Sequence, residues 1–288
     1  MAAELLRGKP LADNIKEGLK KEVEILTAKV GRAPKLVAVQ IGENASSSVY
    51  INAQKKNAEQ LGIEYVLNVL DKDALQKDAE QLIHKMNNDN SVDGIILQLP
   101  VPSQIDAKKL VNTISPLKDA EGMHPSNLGQ VLLGNWSIAP CTANACLVLI
   151  ESTGVDLYGK EVVIVGHSEI VGKPLSLMLL SKFATTTVCH IATSEKGFLE
   201  QHVKKAEILV VAVGKANLIK GDLIRKGAIV VDVGINRVLD KIVGDVEFDT
   251  AQEKASYITP VPGGVGPLTT TMLLKNTVGI FKTQNGLV

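Results

Sequence analysis

EVVIVGHSEIVGKP, residues 161–174, decides the fold. Residues 161–166 are β-branched, almost continuously apolar and end in glycine, which reads as a strand buried on both faces. Residues 171–181 then read as a helix. The turn between them is Gly166-His167-Ser168-Glu169-Ile170-Val171-Gly172-Lys173-Pro174. Its glycines let the backbone bend sharply and approach an anion, while the helix start offers unpaired N–H groups and a positive dipole end. The spacing is G-x-S-x-x-x-G-x-P rather than G-x-G-x-x-G, and the Ser168 hydroxyl can itself donate to a phosphate. A plain strand-to-helix turn without ligand fits the same residues.

Working outward, TTTVCHI (185–191), EILVVAVG (207–214) and GAIVVDVG (227–234) read as further strands, with a helix at 199–205. Val213-Gly214 and Gly234-Ile235-Asn236 stand at strand ends. Open parallel α/β sheets bind ligands beyond the carboxyl ends of their strands, so three glycine-bearing ends read as the floor of a cleft. The second strand ends His190-Ile191, neither an acid for a ribose hydroxyl nor an arginine for a 2′-phosphate. His167 and Lys173 either supply positive charge there or are solvated loop residues.

Upstream the same alternation recurs. LVAVQI (36–41), IEYVLNVL (63–70) and DGIILQLP (93–100) read as strands, separated by helices at 46–61, closed by Gly62, and at 74–86. Strand–helix alternation of this kind gives a parallel sheet with covering helices. The fold class is therefore α/β, as two doubly wound domains, the C-terminal one a Rossmann-type nucleotide-binding domain. Residues 101–140, with prolines at 102, 116, 125 and 140, read as an irregular crossing, and 268–281 as a helix with Thr269 in its first turn. The expected domains are 1–139 plus 270–288, and 140–269.

Composition narrows the function. The chain has 288 residues, 45% hydrophobic and 22% charged, too apolar for disorder. Lys+Arg and Asp+Glu each total 31 and aromatics are 3%, which argues against nucleic acid as a partner. Three cysteines without a CxxC pair point to a reducing cytoplasm rather than a disulfide framework. The N-terminus reads as a charged amphipathic helix without a signal-peptide block, and the apolar runs are too short for a membrane span. Glu80 and His84 share a helix face, but two ligands without a third make no metal site.

In the N-terminal half, Tyr50 and Gln54 lie four apart on one helix face. Lys55 and Lys56 are turned from Gln54 by about 100° and 200° and read as solvated. Tyr50 is either a site residue or a half-buried core aromatic. Gln98 interrupts an apolar strand near its carboxyl end, where a buried amide must be hydrogen-bonded. KDAEG (118–122) reads as a surface loop. Residues 259–269, TPVPGGVGPLT, read as a rigid hinge or as backbone presented to a ligand.

Asp93-Gly94 through Gln98-Leu99-Pro100, Pro140-Cys141-Thr142, the 166–174 loop, Asp232-Val233-Gly234-Ile235-Asn236, Val243-Gly244-Asp245-Val246 and residues 258–269 together resemble the methylenetetrahydrofolate dehydrogenase/methenyltetrahydrofolate cyclohydrolase family. The resemblance implies a two-domain homodimer with a folate cleft between its domains and NADP or NAD in the second domain. It implies oxidation of 5,10-methylenetetrahydrofolate to the methenyl form and then hydrolysis to 10-formyltetrahydrofolate. It places folate at Tyr50, Gln98, Leu99, Pro100, Pro262, Gly263 and Gly264. It places the nucleotide at Gly166, His167, Ser168, Val171, Gly172, Lys173, Pro174, Ile191, Val213, Gly214, Gly234, Ile235 and Thr269. The family's catalytic lysine and aspartate fall at Gln54 and Glu121, and Ala143 replaces a common proline. An amide has no useful titration, so the expectation is a dehydrogenase whose cyclohydrolase activity is weak or lost. A fully bifunctional enzyme and a non-catalytic folate- or nucleotide-binding paralogue are the alternatives.

Overall fold

The strand at Glu161–Val165 is buried beyond its first residue, as an all-apolar run in a parallel sheet should be. The computed structural model describes residues 2–43 and 45–287, with backbone alone at 45–47 and 49. It divides into two compact units: Met1–Ala12, Val131–Asn135 and Pro140–Thr269 in one, and Asp13–Gln130, Trp136–Ala139 and Thr270–Val288 in the other.

The first unit holds, among the described residues, a six-stranded parallel sheet in the order Glu4–Leu5, Tyr257–Ile258, Ile229–Asp232, Ile208–Val211, Glu161–Val165, Thr185–Cys189. Its edge strand, Glu4–Leu5, comes from residues the sequence assigned to the other domain. The strand expected at 185–191 stops at Cys189. His190 donates its backbone N–H to the Thr193 hydroxyl, and Ile191 opens the short helix Ile191–Glu195 instead. Asn236–Val238 and Lys241–Val243 form an antiparallel hairpin beside the sheet order rather than a further strand of it.

The second unit is built on a parallel sheet ordered Glu64–Leu70, Lys35–Ile41, Gly94–Leu97. Helix Ala45–Gln60 ends where Gly62 takes φ +76°, a conformation that suits glycine after a helix. Helix Gln76–Asn87 buries Ala79, Ile83 and Met86 against Val37, Val39 and Ile95. Residues 101–140 are more regular than expected. Asp106 caps helix Ala107–Thr113 by accepting from Lys109 N–H, and Pro125 opens helix Pro125–Leu132, where its missing N–H costs nothing. The last helix, Val265–Gln284, starts earlier than expected because Pro267 is tolerated in a first turn; Thr269 sits one turn inside and donates to the Val265 carbonyl.

Candidate active site

After Glu161–Val165, Gly166 adopts φ +121°, and a Cβ there would overlap the Ala212 carbonyl oxygen. The loop closes on itself: a Cβ at Gly172 would overlap the Gly166 carbonyl, with the Gly166 carbon at 2.7 Å. Ser168 Oγ accepts from Val171 N–H at 3.1 Å, which leaves the hydroxyl proton to donate outward. Lys173 pairs with Glu169 at 3.6 Å. This turn borders a cavity of about 530 Å³. Of the expected nucleotide residues, Gly166, His167, Ser168, Lys173, Ile191 and Val213 line it. Val171, Gly172 and Pro174 are buried and shape the turn. Gly214, Gly234, Ile235 and Thr269 are absent from that wall. His190, Ser194 and Lys215 do line it and were missed; the His167 and His190 rings stand 5.3 Å apart.

Gly214 and Gly234 answer to something else. Asp245, fully buried, accepts from the backbone N–H groups of Val213 (2.7 Å), Gly214 (2.9 Å) and Lys215 (2.8 Å) and from the Asn236 amide (2.8 Å). Asp232 accepts from Gly234, Asp245 and Val246 N–H. A Cβ at Gly234 would overlap the Asp245 carboxylate, and one at Gly244 the Asp232 carboxylate. Gly234 and Gly244 make room for two aspartates, linked by Asp245 N–H donating to Asp232, that tie the strand ends together. Burial raises Asp232 to about 6, against the pull of its three backbone donors and with a further push from Asp245. A buried acid inside 229–233 was the available signal.

The 259–269 stretch is anchored in the same way. Thr259 Oγ1 accepts from Asp232 N–H at 2.7 Å, and Gly8 donates to the Gly263 carbonyl at 2.9 Å. Pro262, Gly263 and Gly264 therefore sit on a path fixed by main-chain and hydroxyl bonds, and Gly263 takes φ +110°.

In the other unit Tyr50 is 50% exposed, so it is no core aromatic. Lys55 and Lys56 are exposed, as expected, and Lys55 pairs with Glu59 at 4.0 Å. Gln98 is 8% exposed just past the Gly94–Leu97 strand, followed by half-exposed Leu99 and a cis bond to Pro100. Gln98 Nε2 donates to Gln54 Oε1 at 2.9 Å. Tyr65, which the sequence did not single out, donates its hydroxyl to the same oxygen at 2.9 Å. Both acceptor positions of the Gln54 carbonyl are thereby used.

Residues 118–122 are not a surface loop. Their backbone runs beside the Gly94–Leu97 strand, Ile95 opposite Asp119, which brings Glu121 to the carboxyl end of the sheet that carries Gln98. Lys118 is buried, donating to the Met86 and Asp89 carbonyls at 3.0 and 2.7 Å, and desolvation lowers it. Asp119 accepts from Gly122 and His124 N–H and from the Asn127 amide. These bonds consume the turn's charges internally, which composition alone does not reveal. Burial, with Asp119 nearby, pushes the Glu121 carboxyl up to about 7. A folded value above the unfolded one means stability present at low pH and lost as pH rises through 7. Melting of the natural chain should drop from pH 5 to pH 8, and Glu121→Gln should remove several degrees of that drop. Equal melting drops in both chains would refute the assignment.

Residues 6–121 match the family model described as the tetrahydrofolate dehydrogenase/cyclohydrolase catalytic domain, and residues 140–285 match that of its NAD(P)-binding domain. The chain belongs to the tetrahydrofolate dehydrogenase/cyclohydrolase family. It is thus an enzyme. The bifunctional protein FolD of Acetivibrio thermocellus is 47% identical over 285 residues, 99% of either chain. The crystal structure of the bifunctional FolD from Campylobacter jejuni matches with TM-score 0.94 at 43% identity, covering 98% of this chain and 99% of that one. The Trypanosoma brucei FolD structure, complexed with NADP cofactor and inhibitor, matches with TM-score 0.94 at 37% identity over 98% of both.

The 166–174 turn suits the nucleotide of such an NAD(P)-binding domain. Its backbone cradle is one a single Cβ would fill, and Ser168 retains a donor. No cluster of metal-ligating side chains occurs among the described residues, and none of their helices is long and apolar enough to cross a membrane.

Proposed function

We propose that the chain oxidises 5,10-methylenetetrahydrofolate to the 5,10-methenyl form, using NADP or NAD, and that it hydrolyses the product weakly or not at all. Folate belongs to the unit built on Asp13–Gln130, with Tyr50, Gln54, Gln98 and Glu121 at its site. The nucleotide belongs to the unit of Pro140–Thr269, held by the 166–174 turn, His167, Ser168 and Lys173. When bound, the nicotinamide accepts the hydride. The cation left behind is stabilised by the folate nitrogens, so the chain's task is placement and exclusion of water. Splitting that cation requires an activated water and a moved proton. The relatives' printed names give them both activities.

The observation that carries the reading is the state of Gln54. A neutral amide, its carbonyl filled by Tyr65 and Gln98, stands at the position to which the resemblance assigns the family's lysine. The nearby lysines do not replace it: Lys55 and Lys56 face solvent, and Lys118 is held by two carbonyls. Methenyltetrahydrofolate decay, corrected for the buffer rate, should barely respond to the natural chain. Gln54→Lys should accelerate it by about 10²-fold, the low end of the usual range for a proton-transfer group. Decay already as fast with the natural chain as with the variant would sink the proposal.

A second reading, full bifunctionality, draws on Glu121, whose carboxyl near 7 matches what a general base needs. It demands hydrolysis by the natural chain with an inflection near pH 7 that Glu121→Gln abolishes. The homodimer implied by the resemblance belongs to the same proposal, and sedimentation of the purified chain tests it.

A further inference from the structure

Tyr65 is the second residue of Glu64–Leu70, an edge strand of the three-stranded sheet among the described residues, with Leu36 as its Cα partner across the sheet. Its ring is half-buried, and its hydroxyl reaches across to helix Ala45–Gln60 to donate to Gln54 Oε1 at 2.9 Å. Gln98 donates to the same oxygen at 2.9 Å from the end of Gly94–Leu97. An amide oxygen has two lone-pair positions, and both are taken. The remaining capacity of the side chain is its two N–H donors. With Gln98 donating, a Gln54 carboxamide flipped by 180° would set N–H against N–H there, and the phenol would have to turn from donor to acceptor, so the observed orientation is the one in which both neighbours donate.

We infer that Tyr65 is a positioning residue: with Gln98 it locks the Gln54 carboxamide in one orientation, presenting position 54 to folate as a fixed hydrogen-bond donor. The inference rests on Gln54 belonging to the folate site. Burial raises the Tyr65 phenol, so it stays protonated and donating throughout the working pH range. The lock lowers the ordering cost that a rotatable amide would otherwise charge to binding, which places its effect on folate affinity and KM rather than on the chemical step. It also means that position 54 is tuned by a residue of one strand and a residue just past the end of another.

The test is a double-mutant cycle of Tyr65→Phe and Gln54→Leu, read by calorimetric binding of tetrahydrofolate to the full chain and by KM against kcat for NAD(P)H formation. With Gln54 present, Tyr65→Phe should weaken tetrahydrofolate binding and raise KM by about threefold to tenfold, the scale of one neutral hydrogen bond, with kcat nearly unchanged. With Leu at 54 the same change should have no effect. Equal weakening in both backgrounds, or a loss confined to kcat, overturns the inference. A second readout needs no ligand. The two Gln54 side-chain amide protons should give resolved, slowly exchanging signals in nitrogen-15 spectra and move to solvent-like positions in Tyr65→Phe; unchanged signals overturn it. Lack of NAD(P)H formation by the natural chain would instead defeat the proposed function, leaving the spectroscopic result to judge the lock.

Discussion

Replacing Gly172 with alanine is expected to lower NAD(P)H formation by about 10²-fold, the scale of an ångström-sized misplacement in a catalytic site. The added methyl would overlap the Gly166 carbonyl oxygen and press on its carbon at 2.7 Å and on His167 Cα at 3.0 Å. All three are backbone atoms, so no side chain can swing aside. The turn must open, and with it the Ser168 hydroxyl, its bond from Val171 N–H and the first turn of helix Gly172–Leu180 all shift. Overpacking of this kind also costs about 1–3 kcal/mol of stability. Calorimetry separates the two consequences: NADP and NAD binding should weaken along with the rate, while tetrahydrofolate binding stays near its natural value. Full nucleotide affinity in the variant would show that the cradle is not where the nucleotide is held.

Asp245→Ala is expected to be the costliest of the single changes in stability, at about 3–5 kcal/mol, since each neutral donor left unsatisfied in the interior costs about 1–3 kcal/mol and partial exposure and relaxation recover some of the sum. The lost carboxylate strands three backbone N–H groups, those of Val213, Gly214 and Lys215, along with the Asn236 amide. Asp245→Asn keeps one acceptor oxygen and should fall between the two. Because Val213 and Lys215 line the cavity beside the 166–174 turn, nucleotide affinity should fall with the loosened loop. Denaturant unfolding measures the first effect and calorimetry the second. A midpoint within experimental error of the natural chain would mean that the loop ends hold without the carboxylate.

Strands were the legible part of this fold. Runs such as 208–213 and 229–233 carry enough continuous β-branched character to declare themselves, and Gly62 and Gly166 mark real breaks with positive φ. Stops set by a single hydrogen bond were not legible: Thr193 captures the His190 N–H and ends a strand that pattern would carry to Ile191. Of the proposed site, periodicity gave the helix face shared by Tyr50 and Gln54 and the strand end at Gln98, while their role came from the resemblance. Tyr65 could not be named, since its link to Gln54 joins a strand to a helix through the far end of a long side chain. The 118–122 turn misled for a related reason. Charged residues usually mean solvent, but Lys118 and Asp119 are buried by bonds to main-chain groups from 86 to 124 and to the Asn127 amide. Glycines were ambiguous in principle, because room for a ligand and room for a buried aspartate leave the same residue; Gly234 and Gly244 serve the second purpose.

The pairing of Glu4–Leu5 with Tyr257–Ile258 bears on biosynthesis. The margin of the larger sheet is supplied by a segment that leaves the ribosome long before the strand it pairs with. Until then, the early segment has no partner to zip against. A gene fragment coding only for 140–269 would in turn expose the Tyr257–Ile258 backbone as a sticky border, inviting self-association. Anyone excising the nucleotide half for study should splice the opening segment back on.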